Sequence, residues 1–154
     1  MASVCAPVTI ITATAGDRPH GTTVSAFSSL SLNPPLVMLA LDQGSDLLEI
    51  VRTTRRFGVN LLAHLQGDLA LGFAKKGQDK FAGVSWRLEH GLPRLTDAKG
   101  WLACELHDLC AGGDHEIATG LVIAAEPMTG APLIYHNRQF GTHSYFMGTE
   151  TPIE

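Results

Sequence analysis

The sequence predicts a mainly β fold: a β-barrel of short strands with two short helices packed outside it. Sixteen glycines and eight prolines in 154 residues punctuate short apolar runs at close intervals, a rhythm of strands and tight turns rather than of long helices. Apolar residues fall at helical spacing in two stretches, residues 46–56 and 66–76. With 45% hydrophobic residues and no repeat, linker or low-complexity tract, residues 1–154 read as one domain large enough to bury a core.

Residues 8–14 form a first strand that ends at the turn "AGDRPHG", and residues 22–32 form a second. Residues 36–42, "LVMLALD", are almost continuously apolar between Pro-Pro and Gly44, the pattern of a strand buried on both faces. The clearest helix follows at 46–56. Ser45 is placed to cap it, Asp46 and Glu49 lie in its first turn, and Arg52, Arg55 and Arg56 lie at its far end, a charge order that suits the helix dipole. "FGVNLLA" returns to strand. Leu65, Leu69 and Phe73, at i, i+4 and i+8, then mark a short amphipathic helix in "QGDLALGFAKK", and a polar loop follows at 77–80. Residues 86–89, 101–109, 116–125 and 133–136 complete the barrel as four more strands.

The net charge is −4, and the eleven lysines and arginines are scattered, so there is no basic footprint for nucleic acid or an acidic membrane. "MASVCAPVTIITATAG" has no basic n-region, and its apolar run breaks at threonines too soon for a signal peptide or a membrane span. A cytoplasmic protein is expected, with no membrane partner. Cys5, Cys104 and Cys110 are odd in number and irregular in spacing, which suggests reduced thiols rather than a disulfide framework.

The functional signal lies in "GTTVSAFSSLSLNPP", which has six hydroxyl side chains between Thr22 and Ser31. In an extended strand Thr23, Ser25, Phe27, Ser29 and Ser31 share one face and a mainly apolar set shares the other. Small hydroxyls beside backbone N–H groups make a neutral cradle for a phosphate or for the polar edge of a heterocycle. A solvated sheet surface is the bland alternative, and the neighbouring apolar strand argues against it.

"VTIITA", "GTTVSAFSSLSLNPPLV", "FGVNLLAHLQGDLALGFA", "DKFAGVSW", "GGDHEIATGLV" and "PLIYHNRQFG", in that order, resemble the flavin reductase family, the short-chain reductase components of two-component flavin monooxygenases. The resemblance spans nearly the whole chain. It implies an FMN-binding split barrel of Greek-key type, a homodimer, that uses NADH or NADPH to reduce FMN or FAD and passes reduced flavin to a partner monooxygenase. Carried over by residue, it implies flavin contacts at Thr22, Thr23, Val24, Ser25, Ala26, Ser28 and Ser29, at Asp42, Gln43 and Ser45, and at Phe73, Ala74, Lys75, Lys80 and Phe81. Lys80 or Lys75 and the helix start at Ser45 suit a phosphate. The resemblance also makes His115, in the "GDH" turn, the residue that places the nicotinamide; a turn histidine bonded to backbone is the plain alternative. Members commonly carry an extra helix ahead of the first strand, whereas here only Met1 to Pro7 precede it.

Other chemistries fit less well. Cys104, His107, Cys110 and His115 have no recognisable zinc spacing, and Cys104 with Leu102 and Leu106 reads as core; no metal is expected. Nothing local marks a cysteine as activated. No G-x-G-x-x-G follows a strand, so a Rossmann nucleotide domain is not supported. His20, His64, His90 and His143 read as loop or surface residues, and Lys76 as a solvated helix end. Tyr135 and Phe140 would wall the nicotinamide pocket or serve packing. No arginine cluster is placed for a 2′-phosphate, which favours NADH. A split-barrel binding protein that holds FMN, a related cofactor or haem without reducing free flavin is the alternative from another class.

Overall fold

The computed structural model describes residues 3–77 and 79–144. Its strands are β1 Ala6–Pro7, β2 Thr9–Ala15, β3 Arg18–Val24, β4 Phe27–Leu32, β5 Pro35–Asp42, β6 Arg56–Leu61, β7 Trp86–Glu89, β8 Leu92–Leu95, β9 Gly100–Gly112, β10 His115–Glu126, β11 Ile134–His136 and β12 Gln139–Gly141; its helices are α1 Asp46–Thr54 and α2 Gly67–Ala74. Seven strands form one antiparallel sheet in the order β3-β2-β6-β9-β10-β5-β4, with a small sheet β1-β11-β12 and the hairpin β7-β8 beside it.

Connectivity dictates the shape of the large sheet. β3 and β4 lie at its opposite edges, yet only Ser25 and Ala26 join them. Laid flat, the sheet would separate its edges by six strand spacings, roughly 29 Å. Three Cα steps reach at most about 11 Å. The sheet therefore curls until its edges approach, leaving a seam at Ser25 and Ala26. The expected single strand at residues 22–32 is broken there, with Ser25 and Ala26 exposed, so the anticipated hydroxyl face is not one continuous face. A register shift between Ser29 and Ser31 breaks the phase again.

Residues from six strands of the sheet converge on one apolar cluster, including Ile11, Val24, Leu39, Phe57, Cys104 and Ala118. α1 sends Leu47, Leu48 and Val51 into it, each worth about 1.5–3 kcal/mol of burial. Ile10 of β2, with Val8 just before the strand, points to the opposite face and packs with Leu62, Leu133 and, from α2, Ala70 and Phe73. β2 is thus buried on both sides. Its polar groups are satisfied there: Thr9 Oγ1 donates to the Val24 carbonyl at 2.8 Å, Thr12 Oγ1 to the Pro93 carbonyl at 2.6 Å, and Asn60 Nδ2 to the Ile10 carbonyl at 3.1 Å.

Several expectations are corrected. β5 buries Val37, Leu39 and Leu41, while Leu36, Met38 and Ala40 stay half-buried, so one of its faces is not fully covered. α1 ends at Thr54 rather than residue 56 because Arg55 turns left-handed and donates its N–H to the Val51 carbonyl at 2.9 Å. Leu65 precedes α2 and is 85% exposed; the helix buries Ala70 and Phe73 instead. β8 has no counterpart in the strand pattern, and the polar loop at 77–80 includes Gln78, which lies outside the described residues. No helix among the described residues is long and apolar enough to cross a membrane.

Candidate active site

A cavity of about 650 Å³ opens where β3, the β5–α1 junction, the loop after α2 and the start of β10 meet, a volume typical of small-molecule sites. Each wall has a local cause. On β3, the buried Gly21 leaves room for Phe73: a Cβ there would sit 2.8 Å from Phe73 Cε1. Thr23 Oγ1 donates to the Ala70 carbonyl at 2.6 Å and so ties β3 to α2.

At the end of β5, Asp42 Oδ1 accepts the Gly44 N–H at 2.7 Å, and its carbonyl accepts the Ser45 N–H at 3.0 Å. The chain turns tightly into α1. Ser45 has the extended backbone of an N-cap, but its hydroxyl makes no cap bond. The first N–H groups of a helix have no intrahelical acceptor, and Ser45, Asp46 and Leu47 border the cavity. An anion would satisfy such a set.

The loop after α2 contributes Lys80 and Phe81. Phe81 stands edge-on to Phe73 (centroids 5.0 Å apart) and to Trp86 (5.6 Å), contacts worth about 0.5–1.5 kcal/mol each beyond burial. Lys80 Nζ donates to the Gly21 carbonyl at 3.0 Å. Burial lowers its pKa below the ordinary lysine value; Asp46 opposes that shift and Lys76 adds to it.

His115 opens β10 directly opposite Asp42 of β5. Its Nδ1 lies 2.7 Å from Asp114 Oδ1, and this hydrogen bond holds the Asp114 carboxyl below its usual range. The Gln43 N–H donates to the Asp114 carbonyl and Gln43 Nε2 to the Gly113 carbonyl, both at 3.1 Å.

Of the residues singled out from sequence, all five at 22–26 border this cavity, with Asp42, Ser45, Ala74, Lys80, Phe81 and His115. Ser28, Ser29, Gln43, Phe73 and Lys75 do not border it. Ser28 borders a second, mainly apolar hollow of about 360 Å³ that shares Ser25, Ala26 and Ala40 with the first; Ser28 Oγ donates to the Ser29 carbonyl at 2.9 Å. Ser29 is exposed on β4, Phe73 is buried behind the wall, and Lys75 is exposed at the C-cap of α2. Arg18, His20 and Lys76 border the cavity unforeseen. His20 is a half-buried strand residue, not a loop residue, because β3 begins at Arg18. Alternation from Arg18 through His20 to Thr22 was the available signal. Tyr135 and Phe140 pack on each other, centroids 5.7 Å apart, away from this cavity. Cys104 is buried, which pushes its thiol up to about 12. Among the described residues no cluster of three His, Cys, Asp or Glu could hold a metal.

A family model described as a flavin reductase like domain matches residues 1–144. The chain belongs to this family. Among relatives of the flavin reductase like domain, the reductase component of 4-nitrophenol 4-monooxygenase/4-nitrocatechol 2-monooxygenase from Rhodococcus opacus is 41% identical over 135 residues, 87% of this chain and 72% of that protein. The stachydrine N-demethylase reductase subunit of Rhizobium meliloti is 34% identical over 119 residues, and the match spans 76% of this chain but about half, 52%, of that longer protein. Nitrilotriacetate monooxygenase component B from Mycobacterium thermoresistibile shares the fold with a TM-score of 0.92 at 29% identity, over 99% of this chain and 88% of that one. The NADH:FAD oxidoreductase of Streptomyces globisporus, solved with NAD and FAD fragments, matches with a TM-score of 0.89 at 29% identity, over 96% and 90%.

Proposed function

We propose that residues 1–154 form a single-domain, cytoplasmic NAD(P)H-dependent flavin reductase that passes hydride from a nicotinamide, NADH before NADPH, to FMN or FAD, and supplies reduced flavin to a partner monooxygenase. One observation carries the reading: a single cavity gathers a lysine, an uncapped helix start, a run of small polar residues and a histidine. That donor set fits a flavin. The N–H groups and Ser45 hydroxyl at the start of α1, with Lys80, would take its phosphate. Residues 22–26 would meet the polar edge of its ring with backbone and small side chains, and Phe81 offers apolar contact. When bound, the flavin supplies the ring that accepts the hydride.

His115 is proposed to orient the donor. With Nδ1 turned to Asp114, Nε2 is the ring nitrogen left for the nicotinamide carboxamide, and hydride transfer depends on that alignment. A homodimer is supported by Leu30 and Leu32 on the edge strand β4, which are 50% and 94% exposed, and by the apolar hollow that Phe27 of the same strand lines with Met38 and Ile117.

The test is anaerobic: mix the protein with FMN and NADH, then with FMN and NADPH, and follow flavin absorbance. Rapid bleaching is expected, faster with NADH. Bound flavin that neither donor bleaches would refute the reductase reading and leave a split-barrel binding protein.

A further inference from the structure

We infer that Gln43 is a positioning residue for His115, a latch that holds the donor-side turn from the flavin side of the cavity. The inference rests on the reductase reading. The sequence groups Gln43 with the flavin contacts, but its side chain does not border the cavity. Both of its hydrogen bonds run instead to the two residues between β9 and β10: backbone N–H to the Asp114 carbonyl and Nε2 to the Gly113 carbonyl.

That turn lies just outside the β9–β10 ladder, which closes at the Gly112–His115 pair. Gly113 adopts φ +77, and Asp114, whose side chain is 93% exposed, is anchored mainly through its backbone. The Asp114 carboxylate can orient the His115 ring only as well as the Asp114 backbone is itself held. Gln43 holds that backbone at one carbonyl and its neighbour at the other, and does so from the segment that leads through Gly44 and Ser45 into α1. Beyond the pairing of His115 with Asp42 in the sheet, the latch is thus a second tie between the β5–α1 junction and the His115 turn.

Gln43→Glu tests this, since it keeps the side-chain length but turns an acceptor toward the Gly113 carbonyl; Gln43→Ala is the second variant. Loss of one neutral hydrogen bond predicts a rise of about threefold to tenfold in the KM for NADH, with kcat at saturating NADH and the Kd for FMN in the absence of donor each within about twofold. The backbone ¹⁵N order parameter of Gly113, whose carbonyl loses its side-chain donor while the Asp114 carbonyl keeps the Gln43 N–H, should fall from about 0.85 toward 0.6. An unchanged order parameter overturns the inference whatever the kinetics. So does an unchanged KM in an enzyme that turns over, or an FMN Kd that rises as far as the KM, which would make Gln43 a flavin contact. If the wild type reduces no flavin, the reductase reading fails and the order parameter alone decides the latch.

Discussion

Replacing Lys80 with Met removes the ammonium from the cavity while keeping an unbranched side chain of similar length. Nζ is held 3.0 Å from the Gly21 carbonyl, and burial lowers its pKa, so burial makes the charge costly and the hydrogen bond fixes it where a phosphate would neutralise it. A charge-assisted hydrogen bond to phosphate is worth about 1.5–3 kcal/mol, which corresponds to roughly a 10- to 150-fold rise in the Kd for FMN. Fluorescence titration without donor measures it, and kcat at saturating FMN should change little. The pH dependence has a definite sign. The charged form binds phosphate, so wild-type affinity falls as pH rises through the lowered folded pKa, below the ordinary 10.5, and Lys80→Met lacks that step. For the unliganded protein the sign is opposite: between the folded and unfolded pKa values the unfolded chain binds more protons, so this lysine makes stability rise with pH. An FMN Kd within twofold of wild type, or an identical alkaline step in the variant, would refute the assignment of Lys80 to the phosphate.

His115→Ala should raise the KM for NADH severalfold while leaving the FMN Kd nearly unchanged; an unchanged dependence of rate on NADH concentration would contradict its role. A Cβ at Gly120 would lie 2.4 Å from Phe57 Cζ and 3.1 Å from Cys104 Cβ, so Gly120→Ala should cost about 1–3 kcal/mol and lower Tm by about 2–12 °C in a thermal melt, with Phe57→Leu in the same chain recovering part of the loss. Thiol titration of the native protein should modify the exposed Cys5 and Cys110 and spare Cys104 until denaturant is added, because a buried thiol near 12 provides almost no thiolate. Rapid modification of all three would contradict the packing.

Local chemistry carries far in this sequence. α1 is legible from Ser45, the acidic first turn and the apolar spacing, and β5 from its bounded apolar run. Lys80, Ser45 and His115 are adjacent to recognisable turns or caps, and all three border the cavity. What is not legible depends on distant partners. Nothing at Ser25 and Ala26 resembles a breaker, since neither is Gly or Pro; the break exists because β3 must pair with β2 while β4 pairs with β5. β8 is hidden by Pro93, which a strand reading penalises, yet the hairpin tolerates it opposite Leu88. Whether Lys75 or Lys76 borders the cavity depends on where α2 ends, and the Thr23 hydroxyl is taken by a carbonyl 47 residues away.

The seam has a thermodynamic consequence. β3 lies at one edge of the sheet and β5 one strand in from the other, and both contribute walls to the same cavity. An occupant touching both walls acts as a reversible cross-link, binding only the closed sheet, so its affinity and the work of holding the sheet closed are linked quantities. At free ligand a hundred times the Kd, the native state gains about 2.7 kcal/mol. By the same linkage, a substitution that loosens the edges, even at the β4–β5 turn outside the cavity, registers as weaker binding without altering a single contact to the ligand.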